Sequence, residues 1–124
     1  MKEYGKKVWL IPDTYLNSVS KNENISHEAI CVINTTERDA DIKLTLFFED
    51  RECRTDFRSF CPARRTHHIR MDKLKNDLGE IIPRDTPYAV LLESSEPLVV
   101  QYSRLDTSAT EMALMTTIAY AVED

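Results

Sequence analysis

"ADIKLTLFFE", residues 40–49, is the stretch whose reading decides the fold. On an extended chain Ala40, Ile42, Leu44, Leu46 and Phe48 fall on one face, and Asp41, Lys43, Thr45, Phe47 and Glu49 on the other. A period of two with one apolar face predicts a strand that covers a core on one side and meets solvent on the other. Phe47 interrupts the polar face, and an outward aromatic marks a subunit contact or a ligand surface.

Working outward, polar and turn-prone stretches at 17–26, 34–39, 72–80, 83–87 and 93–97 separate short apolar runs. Such spacing predicts an all-β fold: an antiparallel β-sandwich, one domain over residues 1–124, with at most short helical turns. The runs at 29–33, 88–92 and 98–100 are apolar on both faces, as in central strands or strands covered by a partner. Over 112–122, Thr116, Thr117, Ile118 and Tyr120 favour strand against the helix that Met, Ala and Leu would suit. Only "MDKLKNDLG" (71–79) reads as a helical turn, closed by Gly79. Phe47 and the runs at 88–92 and 112–122 offer more apolar surface than one small sandwich hides, which predicts an oligomer.

The net charge of −5 disfavours non-specific binding to phosphate backbones. Segment 51–70 departs from that average. It holds six arginines against Glu52 and Asp56, a local +4, so the remainder carries −9. Cys31, Cys53 and Cys61 are odd in number and lack a CxxC spacing, which predicts buried free thiols in a reducing cytoplasm. The apolar stretch VWLI ends at Pro12, short of a signal sequence, and no run approaches the roughly 18 residues of a membrane helix.

Several kinds of chemistry fail on spacing. With Gly5 and Gly79 the only glycines, there is no glycine-rich phosphate loop. His27 and Cys31 would stand about 13 Å apart on a strand, beyond hydrogen-bond reach. His67 and His68 would face opposite sides and could not chelate one metal. No nucleophile–base pair emerges, so neither an enzyme nor a cofactor or metal site is expected.

What remains are polar residues at strand ends. In "CPARRTHHIR" (61–70), if Ile69 and Met71 face the core, Arg65 and His67 share that face. An inward guanidinium must then pair with an anion or carbonyls, or present its fork to a ligand. In "LVVQYSRLD" (98–106), Tyr102, Arg104 and Asp106 share a face, the last two about 7 Å apart. In "VWLIPDTYL" (8–16), Trp9 with Asp13 and Tyr15 is a sugar-binding combination, or Trp9 is plain core. Arg64 and Arg65 are expected to organise one strand-end site with His27, Arg104 and Asp106, and Asp106 or Glu28 is the expected internal counter-charge.

The same segments carry a resemblance. "WLIPDTY" (9–15), "ISHEAICVIN" (25–34), "PARRTHHIR" (62–70), "IPRDT" (82–86), "PLVVQYSRLD" (97–106) and "ALMTTIAYA" (113–121) resemble, in order, the sensory rhodopsin transducer family. The resemblance implies a β-sandwich homotetramer with a regulatory rather than catalytic role. It also implies a small polar ligand, a sugar or related metabolite, at Trp9, Tyr15, His27, Glu28, Asn34, Arg64, Arg65, Arg104 and Asp106. For the photosensory branch it implies coupling to a membrane rhodopsin and DNA binding. This chain has Thr14 before Tyr15 and Asn17 after Leu16 where the family favours Gly-Tyr, Ile or Leu, then Pro, which implies a different loop beside Trp9.

Overall fold

The computed structural model describes residues 2–21 and 23–123; Asn22, inside the expected turn at 17–26, lies outside the described residues, as do Met1 and Asp124. Ala40–Phe48 (β3) is a strand whose alternation is realised: Ala40, Ile42, Leu44 and Leu46 are buried, whereas Asp41, Lys43 and Phe47 are exposed. Thr45 is the exception. It is buried beside a register shift between β3 and Arg54–Cys61 (β4), where the pleat is locally lost.

One strand organises the rest. Tyr88–Asp106 (β6) is 19 residues long, about 60 Å if straight, far longer than a domain of this size is wide. It therefore serves two layers in turn. Its first half pairs with β3 and with Lys6–Thr14 (β1). Its second half pairs with His27–Asn34 (β2) and Ala113–Ile118 (β7). Beyond these, β4 flanks β3, Tyr120–Ala121 (β8) flanks β1, and Arg65–Arg70 (β5) flanks β2, all antiparallel. Both layers contribute to one core, through Trp9, Ile42, Leu44 and Leu92 on one side and Ile30, Val32, Val100 and Tyr102 on the other.

The expected turn at 93–97 is instead the kink inside β6. Pairing with β1 jumps from Val8↔Glu93 to Lys6↔Leu98, so one residue of β1 opposes four of β6. Pro97 lacks an N–H, and this gap in the ladder is where a central strand tolerates it. Ser94 and Ser95 supply the missing bonds, accepting from the N–H groups of Glu96 (3.2 Å) and Asp41 (2.9 Å). Gly5 completes the crossing: its φ is +107°, and a Cβ there would lie 2.0 Å from the Leu98 carbonyl oxygen.

Three further expectations change. The helical turn at 71–79 shortens to a 3₁₀ turn at Met71–Lys73, and the rest is a loop built on Asn76, whose Oδ1 accepts from Leu78 and Glu80. Gly79, with φ +79°, serves that loop rather than a helix end. Of the three thiols only Cys61 is buried; Cys31 is half-buried and Cys53 exposed in the β3–β4 loop. Within 112–122 the chain forms two strands, Ala113–Ile118 and Tyr120–Ala121, in line with its β-branched residues, but every residue of β7 is exposed. No helix among the described residues is long and apolar enough to cross a membrane.

Candidate functional site

The expected single polar site divides into two, one at each end of β2. Glu28 is opposite Arg104 of β6 near the first end, and Asn34 is opposite Arg65 of β5 at the other. Six residues of strand separate them by about 20 Å. The grouping of Arg64 and Arg65 with His27, Arg104 and Asp106 therefore does not form.

At the first end, Glu28 is almost wholly buried, forced inward by the parity that also buries Ile30 and Val32. Its carboxylate accepts the Tyr88 hydroxyl at 2.6 Å and the Tyr15 backbone N–H at 2.7 Å, and lies 3.4 Å from Arg104 Nε. Burial pushes the Glu28 carboxyl up from its ordinary range, against the opposing pull of Tyr88, Tyr15 and Arg104. Burial, then the neighbouring Glu28 charge, raises the Tyr88 hydroxyl well above its usual value. Arg104 also donates from Nε to the Tyr102 hydroxyl at 3.0 Å, while its Nη2 is buried with no acceptor among the described residues. Glu28, not Asp106, is thus the counter-charge of Arg104.

Asp106 faces outward and accepts Ser108 N–H at 2.8 Å; the Ser108 side chain, its backbone and Asn17 hold its carboxyl below the usual range. His27 sits half-buried at the rim, its Nδ1 2.8 Å from the Ile25 carbonyl oxygen. The loop beside them is clamped by residues absent from the expected site. Arg84 Nη1 donates to the carbonyls of Asn17 (2.7 Å) and Ser26 (3.1 Å), and Asp85 accepts Ser18 N–H at 2.9 Å, with the Tyr15 hydroxyl 3.5 Å away. "IPRDT" was the signal for Arg84 and Asp85; Tyr88 is hidden in a run that reads as core.

At the second end, Asn34 is buried and spends its side chain on the chain itself. Its Nδ2 donates to the carbonyls of Arg38 (2.7 Å) and Cys61 (3.1 Å), and its Oδ1 accepts from Thr36 N–H and Oγ1. Arg64 and Arg65 are both exposed. Arg65 shares the parity of Ile69, but no second layer covers the first four residues of β5, so neither face there is core. With Lys2, Tyr4, Ile33 and Thr35 the two arginines line an open cleft of about 430 Å³.

Trp9 lies apart from both ends. It is core, 6% exposed, and its indole N–H donates to the carbonyls of Lys6 (2.9 Å) and Leu98 (3.1 Å), so no open ring face remains for a sugar. The other arginines of the basic segment are neutralised locally: Arg51 by Asp50, Arg54 by Glu80, Arg58 by Asp56 and Asp77, Arg70 by Asp72. Among the described residues no cluster of three metal-ligating side chains occurs.

Residues 4–121 match the family described as ASRT, Anabaena sensory rhodopsin transducer. The chain belongs to the sensory rhodopsin transducer family. Two solved structures agree. The crystal structure of Thermotoga maritima 1070 is 36% identical with a TM-score of 0.85, covering 96% of this chain and 97% of that one. The Anabaena sensory rhodopsin transducer is 34% identical with a TM-score of 0.75, covering 85% of this chain and 92% of its own. No curated protein matches. The nearly all-β antiparallel architecture of this transducer-family chain is that of its structural neighbours.

Proposed function

We propose that this chain is a non-catalytic signal-transducing domain that acts on the cytoplasmic side of a membrane photoreceptor of the sensory rhodopsin type, as a homotetramer. Family membership supports the transducer role, and one structural observation supports the contact: strand β7. Among the described residues it is a sheet edge that pairs with β6 alone, with Leu114 72% and Ile118 62% exposed and Met115 beside them. An apolar edge strand with unpaired backbone groups invites further protein, either another copy or a receptor face. A largely apolar groove of about 550 Å³, lined by Ile11, Pro12, Tyr102, Met115, Ile118 and Tyr120, continues that surface.

Light scattering of wild type and of Ile118→Glu, with titration of each into a detergent-solubilised sensory rhodopsin, tests the proposal. Wild type is expected as an assembly that binds the receptor, and the variant as a smaller species that does not. A stable 14.4 kDa wild-type monomer with no receptor binding would overturn it.

A second reading, a small polar ligand at the Glu28–Arg104 end, draws support from the buried, unpartnered Arg104 Nη2. A thermal-shift screen of sugars and hydroxy acids against wild type and Arg104→Lys tests it. Stabilisation lost in the variant supports the reading, and no stabilisation of wild type contradicts it. DNA binding has less support, because Arg51, Arg54, Arg58 and Arg70 already face carboxylates.

A further inference from the structure

The cleft at the far end of β2 has a chemistry that neither reading uses. We propose that Lys2, Tyr4, Arg64 and Arg65 form a site for a phosphate monoester carried on a small, flat-bodied molecule.

Among the described residues the cleft's walls hold the cationic side chains of Lys2, Arg64 and Arg65 and no carboxylate. Among the described residues the Arg65 guanidinium makes one hydrogen bond, from Nη1 to the Arg64 carbonyl at 3.1 Å, which leaves most of its fork available. Arg51, Arg54, Arg58 and Arg70 each lie within 4 Å of a carboxylate oxygen, and among the described residues Arg65 has no such neighbour, so its guanidinium stands out in this segment. A fork beside an ammonium suits a dianion with several acceptor oxygens, which a phosphate monoester is and a sugar hydroxyl is not.

The walls are also held in place. Arg64 adopts φ +59°, uncommon for a residue with a side chain, and its N–H is fixed to the Thr36 carbonyl at 3.1 Å. Thr36 is in turn gripped by the buried Asn34, which also holds the strand end at Cys61. On the opposite wall, Tyr4 N–H donates to Thr35 Oγ1 at 3.0 Å. The Tyr4 ring is 55% exposed, with Lys2 Nζ 5.6 Å from its centroid. The ring offers a face for a flat body, and the cations a seat for its phosphate. A cleft of about 430 Å³ is the size of a small-ligand site. It suits one phosphate group rather than a tracked backbone, and the chain's charge of −5 opposes a polyanion.

Calorimetric titration of the full chain with inorganic phosphate, ribose 5-phosphate, AMP, adenosine and a single-stranded DNA oligomer tests the site, with Arg65→Gln, Lys2→Gln and Tyr4→Ala beside wild type. Saturable binding of the phosphate monoesters is expected, with AMP tightest and adenosine not bound. Arg65→Gln and Lys2→Gln should each weaken AMP by about tenfold. Tyr4→Ala should weaken AMP while leaving inorganic phosphate unchanged. All three positions are exposed, so the variants should melt like wild type. Three results would overturn the proposal: no saturable binding of phosphate monoesters up to about 10 mM, binding unchanged in Arg65→Gln, or binding only of the DNA with a steep salt dependence.

Discussion

The two ends of β2 place an arginine against the same sheet in opposite circumstances. Arg104 lies beside a carboxylate that water cannot reach; Arg65 lies over an open cleft with no carboxylate among the described residues of its walls. The difference is one of coverage. Around Glu28, both β1 and the start of β6 close over the second layer, through Tyr15 and Tyr88. Around Arg65 the edge strand runs beyond whatever could cover it. A charge under cover must be paired or neutralised, so it ties elements together; a charge in the open is solvated and remains available to a ligand.

The largest effect should come from separating the buried pair. Arg104→Met leaves Glu28 buried without its cation and should cost about 3–5 kcal/mol at neutral pH by urea denaturation. The loss should shrink at acid pH, where Glu28 takes a proton. A loss under about 1 kcal/mol at neutral pH would mean that the two ends do not differ as described.

Tyr88→Phe should come next. It removes the 2.6 Å bond to the Glu28 carboxylate and should cost about 1.5–3 kcal/mol, since a hydrogen bond to a buried charge is lost without replacement. Smallest of all should be Arg65→Ala, within about 0.5 kcal/mol of wild type, because its guanidinium is exposed and bonds only its neighbour's carbonyl. A large loss there would restore the single paired site that the alternation in 65–71 suggested.

The contrast also explains what the sequence could reveal. Strict alternation in 40–49 made β3 and the sandwich legible, because a period of two is a local property. The same logic gave Arg65 the correct parity and the wrong burial, since parity states which way a side chain points and not whether another layer lies there. Glu93–Pro97 looked like a turn because its residues are turn formers, yet what Pro97 needed was only a missing ladder bond, which the kink in β6 provides. The Glu28–Tyr88 bond spans 60 positions and no local pattern records it. Trp9 was ambiguous for the same reason: two carbonyls, one of them 89 positions away, decide that it is core.

The central claim, that one end of β2 encloses a carboxylate held against its own desolvation, is tested most directly by unfolding free energy against pH for wild type and Glu28→Gln. Burial raises the folded-state pKa of Glu28 above its ordinary 4.5, so the folded state binds the proton more tightly than the unfolded chain. Its contribution is fully present below pH 4.5 and is lost as pH rises through the folded pKa. Asp85 and Asp106 have the opposite sign: their pKa values lie below the ordinary 3.8, and their contribution is lost only as pH falls beneath it. Above pH 4.5 wild type should therefore lose stability with rising pH relative to Glu28→Gln, until Glu28 is ionised in both states. Parallel curves across that range would contradict the account.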